Sequence, residues 1–167
     1  MNKRLIFQIT SFIVYILFLL IFVYECLQTG TTIQGQIKDV GDVIAGAGSQ
    51  ISGTTVENTT SFQKFIGKFV GHYLYFCLLG LSSIIFYLSL TKLKSYYLII
   101  IHFAVGIAFA LITEFILETK TSGRTALFSD VLIDTSGLAT LSIIYIIIYY
   151  VLKHKNNKKN KLKEVVE

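Results

Sequence analysis

Six residues have the types and spacing to do chemistry: Lys68, His72, Glu114, Arg124, Asp130 and Asp134. Lys68 and His72 stand four apart in "KFVGHY". Asp130 and Asp134 stand four apart in "SDVLID", with Gly137 next along the same helical face. The set holds three carboxylates, two fixed cations and one titratable imidazole. A guanidinium offers a phosphate or carboxylate a bidentate fork, and an ammonium offers a point charge. Carboxylates and imidazole in a low-dielectric setting are also suited to general acid and base work.

Those charges lie in an apolar chain. Its 167 residues are 53% hydrophobic, with neither proline nor tryptophan, and the mean hydropathy is +0.65. Such a composition points to a bilayer as the solvent. A hydrocarbon core about 30 Å thick needs roughly 20 helical residues to cross it. Four stretches qualify: Leu5–Tyr24, Phe65–Leu90, Tyr96–Leu117 and Phe128–Leu152. The expectation is an all-α, integral membrane four-helix bundle over residues 5–152, with a four-residue N-terminus and a basic tail at 153–167. Lys68, His72, Glu114, Asp130 and Asp134 then all fall in the outer third of the bilayer. Each charge deep in a membrane costs about 2.5–3.5 kcal/mol on insertion scales, so pairing is expected. Arg124 and Lys68 should meet Asp130, Asp134 or Glu114, with His72 at the edge.

Orientation follows from Lys and Arg. Lys3 and Arg4 before the first stretch, Lys92 and Lys94 in "TKLKS", and six lysines in "KHKNNKKNKLK" make ten of the fifteen basic residues. An even number of spans puts all three segments on one side, and the positive-inside rule makes that side, with both termini, cytoplasmic. "MNKR" followed by a long apolar run without an A-x-A site reads as an uncleaved signal anchor. Glu25 in "VYEC" argues against lipid attachment at Cys26, and with Cys77 inside a span a disulfide is not expected. The net charge of +5 reflects the tail as a topology determinant that attracts anionic lipid, not a nucleic-acid interface.

The outer segment 25–64 is rich in Gly, Ser and Thr, as a flexible linker would be. Yet Ile33, Ile37, Val40 and Ile44 recur four, three and four apart, the stripe of a surface helix. A mobile loop and a short amphipathic helix are both open. "NTT" at 58–60 matches a glycosylation sequon. Glu118 and Lys120 read as solvated loop charges, the tyrosines at 73, 75, 96 and 97 as interfacial anchors, and His102 as the maker of an interhelical hydrogen bond. Gly123 and Gly137 read as structural, permitting a turn and close helix packing. No Gly-rich phosphate loop, Cys/His metal spacing or G-x-S-x-G elbow is present, so no cofactor or metal is expected.

The residues so singled out resemble the VanZ-like family of bacterial membrane proteins over positions 64–140. "KFVGHY" supplies Lys68, His72 and Tyr73; "TEFIL" supplies Glu114; "SGRTALFSDVLIDTSG" supplies Gly123, Arg124, Asp130, Asp134 and Gly137. The chain differs in having Lys68 alone where the family has an Arg-Lys pair, Leu117 for a frequent Gln and Ser122 for a frequent Pro. Its spacing from Glu114 to Arg124 is also one residue longer than usual. What the resemblance implies is a protein of the Gram-positive cell envelope, in a group named for low-level teicoplanin resistance. Its expected partners are membrane lipids, a lipid-linked cell-wall intermediate or a lipoglycopeptide; a homo-oligomer is open. An outward polar site holding an amphiphile is the leading expectation. The alternatives are an intramembrane enzyme acting on a lipid head group and a small lipid flippase or transporter.

Overall fold

The computed structural model describes residues 3–90 and 94–164, with side chains to 158. Lys92 and the side chains of the lysines at 159, 161 and 163 lie outside this range. The elements are α1 (Lys3–Cys26), α2 (Gly30–Ser52), α3 (Thr60–Ile66), α4 (Tyr75–Ser89), α5 (Ser95–Ile112) and α6 (Phe128–Glu164). A π-helical stretch, Gly67–Leu74, joins α3 to α4, and another, Thr113–Leu117, continues α5 into a 3-10 turn at Glu118–Lys120. Four helical runs are long and apolar enough to cross a membrane: Lys3–Cys26, Thr60–Ser89, Ser95–Lys120 and Phe128–Lys158. The fold is an all-α four-helix bundle.

Burial patterns explain how the spans pack. On α1 the buried residues are Ser11, Tyr15, Phe22 and Cys26, one stripe at helical spacing. On α5 Leu98, His102, Gly106 and Ala110 recur every fourth residue. α4 is different, with Phe76, Cys77, Leu79, Gly80, Ser82, Ser83, Ile84 and Leu88 all buried. A helix covered on so many sides stands at the centre of the bundle, and α4 does touch α1, α5 and α6. Remaining apolar side chains such as Leu20, Ile100 and Ile147 point outward, as a hydrocarbon solvent requires.

Between membrane helices association depends on close packing and hydrogen bonds, because lipid is as apolar as the interface itself. Small residues supply the packing. A Cβ on Gly80 would sit 2.5 Å from the Leu138 carbonyl oxygen, and one on Gly106 would meet the Leu138 side chain. Leu138 is therefore wedged between α4 and α5. The polar supplement is neutral: His102 Nδ1 lies 2.9 Å from Ser83 Oγ and its Nε2 lies 3.0 Å from Ser142 Oγ. All three are buried, and the group joins the last three spans. A neutral imidazole satisfies both hydroxyls by donating through one nitrogen and accepting through the other. His102 thus makes the interhelical contact expected of it, twice over.

Of the two expectations for the outer segment, the structure has the helix, and at 23 residues it is longer than the short amphipathic helix read from the sequence. Thr29 caps it by accepting from the Thr32 amide, and Gly53 closes it in the left-handed conformation at φ 68°. Asn58 then clasps the helix from the following loop, its Nδ2 donating to Asp42 Oδ1 at 2.7 Å and to the Lys38 carbonyl at 3.1 Å. The sequon asparagine is thereby engaged in tertiary contacts through the very amide nitrogen that a glycan would occupy. At the other end of the sequence, α6 runs without a break from the bundle into the basic tail as far as Glu164.

Candidate functional site

The sequence-selected residues converge at one end of the bundle, the end away from the N-terminus of α1 and the basic tail of α6. Lys68 and His72 lie on the first π-helical stretch and Glu114 on the second. π-helical turns are rare and recur at functional sites. Asp130 lies in the first turn of α6, where the positive end of the helix dipole favours a carboxylate.

Lys68 Nζ donates to Asp130 Oδ1 at 2.5 Å and to Ser129 Oγ at 3.2 Å. His72 Nδ1 donates to Asp134 Oδ1 at 3.0 Å. Both pairs join the second span to the last. Asp134 is almost wholly buried, and its second oxygen, Oδ2, has no hydrogen-bond partner among the described residues. Gly137 makes this approach possible, since a Cβ there would collide with the Tyr73 carbonyl and sit 3.1 Å from Phe76 Cβ.

Arg124 departs from expectation. It pairs with Glu118, not with Asp130, Asp134 or Glu114, and its second terminal nitrogen donates to the Glu25 carbonyl at 3.1 Å. Thr121 Oγ1 donates alongside to the Cys26 carbonyl at 3.0 Å. The last carbonyls of a helix lack intrahelical donors, so this loop caps α1, with a cation at the negative end of its dipole. Glu118 is correspondingly no solvated loop charge; it is 4% exposed. The third span passes through the π turn that ends at Leu117 into a 3-10 turn at Glu118–Lys120, which tucks Glu118 inward. A signal was present in "ETKTSGR", with opposite charges six residues apart across a short turn.

Glu114 is also drawn into the framework. Its Oε1 accepts from the Leu127 amide at 2.5 Å, holding the residue just before α6. It makes no hydrogen bond to Asp130, although His72, Asp130 and Asp134 all lie within its electrostatic reach. Gly123 adopts φ 78°, a backbone state open to glycine. Against this turn α2 docks: the Gly30 amide donates to the Ser122 carbonyl at 3.0 Å, and a Cβ on Gly30 would sit 2.5 Å from the Gly123 oxygen.

The arrangement encloses a cavity of about 640 Å³ between α2 and the spans. Lys68, His72, Arg124 and Asp130 line it, whereas Glu114 and Asp134 do not. Glu25, Lys64 and Glu118 complete its charged rim, and these were not singled out from sequence as site residues. Phe22, Ile66, Val70 and Tyr75 give it an apolar wall, and α2 contributes Ile33, Ile37 and Val40 from its apolar stripe. Among the described residues no group of three His, Cys, Asp or Glu side chains is placed to hold a metal ion.

Fold and site together define a multi-pass helical membrane protein with a charged, cavity-lining cluster at one end. Comparison with family models, with curated proteins and with solved structures finds no match for the chain.

Proposed function

We propose that the chain is a VanZ-like protein of the bacterial cell membrane whose outward site engages an amphiphile with an anionic head, contributing to teicoplanin resistance. The observation that carries this reading is the cavity itself. It joins an apolar wall of adequate size for a small-molecule ligand to three cationic side chains, Lys64, Lys68 and Arg124, of which Lys68 is paired with Asp130, Arg124 with Glu118, and Lys64 with no bonded partner among the described residues. A phosphate or carboxylate there meets the point charges of the lysine ammonium groups, with the Arg124 guanidinium, itself held by Glu118 and the Glu25 carbonyl, adding positive charge nearby. The lipid-linked intermediate of a Gram-positive wall and the lipid-bearing glycopeptide both have this combination of parts. The test is teicoplanin susceptibility in a sensitive Gram-positive host expressing wild type or Asp130→Asn at matched membrane abundance, with vancomycin for comparison. A raised teicoplanin threshold with wild type alone supports the proposal. An unchanged threshold with both rejects the resistance role.

One observation favours a second reading, an intramembrane enzyme acting on a lipid head group. His72 lines the cavity with Nδ1 held by Asp134, which leaves Nε2 for proton exchange with a ligand. Turnover of labelled polyprenyl phosphate by purified protein, lost in His72→Gln, would establish it.

A further inference from the structure

A second hollow opens on the lipid-facing side of the same lysines. It has a volume of about 370 Å³ and is lined by Lys64, Phe65, Lys68, Phe69, Tyr73, Ile133 and Ser136. We propose that this groove between the second and last spans holds the hydrocarbon chain of a membrane lipid whose phosphate head carries a net negative charge, with Lys64 and Lys68 binding the phosphate at its mouth. The inference rests on the amphiphile reading above and assigns the chemical class of the ligand and the path of its chain.

Three features converge on that occupant. The wall is a ladder of rings at every fourth residue: Phe65 stacks on Phe69 at 5.5 Å and 8°, and Phe69 on Tyr73 at 5.5 Å and 17°. Side chains four apart share a helical face, so the ladder runs along the span, parallel to a lipid chain. From Phe65 to Tyr73 it extends at most about 12 Å at the α-helical rise of about 1.5 Å per residue. Half of a hydrocarbon core about 30 Å thick is about 15 Å. The groove therefore takes the upper part of a chain lying in one leaflet.

Charge selects the head. Lys64 makes no ion pair or hydrogen bond among the described residues, and Lys68 is balanced by Asp130 alone. No carboxylate lines the groove. Two ammonium groups facing one acid leave a net positive mouth where lipid head groups lie. Both lysines also line the larger cavity, whose lining includes Arg124 and His72, so the two hollows share the lysine pair.

The chain contains no tryptophan, so Ile133→Trp installs a single fluorescent reporter in the groove. The protein would be placed in phosphatidylcholine bilayers with part of the lipid replaced by brominated phosphatidylglycerol or, at equal fraction, brominated phosphatidylcholine. The expected result is preferential quenching by the anionic lipid, corresponding to a roughly fivefold enrichment, the worth of about one lysine near an anionic head group. Lys64→Gln should reduce the preference and Lys64→Gln with Lys68→Gln should abolish it. Since Lys64 is exposed, the single variant tests the idea without burdening the fold. Equal quenching by both lipids overturns the proposal, as does an equal preference at an Ile148→Trp reporter on an exposed part of the last span. Teicoplanin protection with no lipid preference would reject the groove and leave the proposed function standing; lipid preference without protection would do the reverse.

Discussion

Two polar groups tie together the same three spans, and they are built differently. Toward one end Ser83, His102 and Ser142 form a neutral, buried triad with no net charge to offset. At the other end Lys68, His72, Glu114, Glu118, Arg124, Asp130 and Asp134 gather charges of both signs around a cavity. Polar contacts between membrane helices contribute about 0.6 kcal/mol on average, so hydroxyls and one imidazole are enough for adhesion. The charged end costs more to insert and leaves Asp134 Oδ2 without a hydrogen-bond partner among the described residues. Holding the spans together does not account for that end. The proposed ligand site would give those charges a use.

The comparison can be tested by reversible unfolding of purified variants in mixed micelles. The largest loss should come from Arg124→Ala, about 3–5 kcal/mol, because it strands buried Glu118 and uncaps α1 together. Arg124→Lys should recover part of it, an ammonium lacking the fork that reaches both Glu118 and the Glu25 carbonyl. Next comes Glu114→Ala, at about 1–3 kcal/mol, since the Leu127 amide loses its acceptor; Glu114→Gln keeps an acceptor and should cost less. His102→Leu should cost only about 1 kcal/mol, two average interhelical bonds. A His102 cost larger than that of Arg124 would reverse the division between the two ends. Smallest of all is Lys64→Gln, expected within about 0.5 kcal/mol of wild type, as an exposed site without a bonded partner should be. Such a variant with normal stability and altered lipid preference would separate ligand binding from folding.

Much of the architecture was readable before any coordinates. Span number and approximate limits follow from runs of apolar residues, because the hydrocarbon core sets their length. That Lys68 would meet one of Asp130, Asp134 and Glu114 followed from charge alone, since burying any of them unpaired is costly; which one it meets, Asp130, did not. Partner choice for Arg124 was not readable in the same way. Glu118 sits one residue beyond the apolar run ending at Leu117, and only the π and 3-10 turns bring it inward. The length of α2 was hidden as well. Its Gly, Ser and Thr content is poor for an isolated helix, and its order is supported by docking on the Ser122–Gly123 turn and by the Asn58 clasp.

By itself the amino-acid sequence determined that this protein is helical, that four of its stretches are long and apolar enough to cross a membrane, and that Lys68, His72, Glu114, Asp130 and Asp134 gather toward one end of them. Those properties depend on local hydropathy and on charge counted along the chain. Only the tertiary structure decided that Glu114 braces α6, that Arg124 caps α1, and that α2 closes a cavity over Lys68 and His72. Each depends on contacts between segments distant in sequence, and on backbone turns whose geometry the periodicity of an ordinary α-helix does not contain.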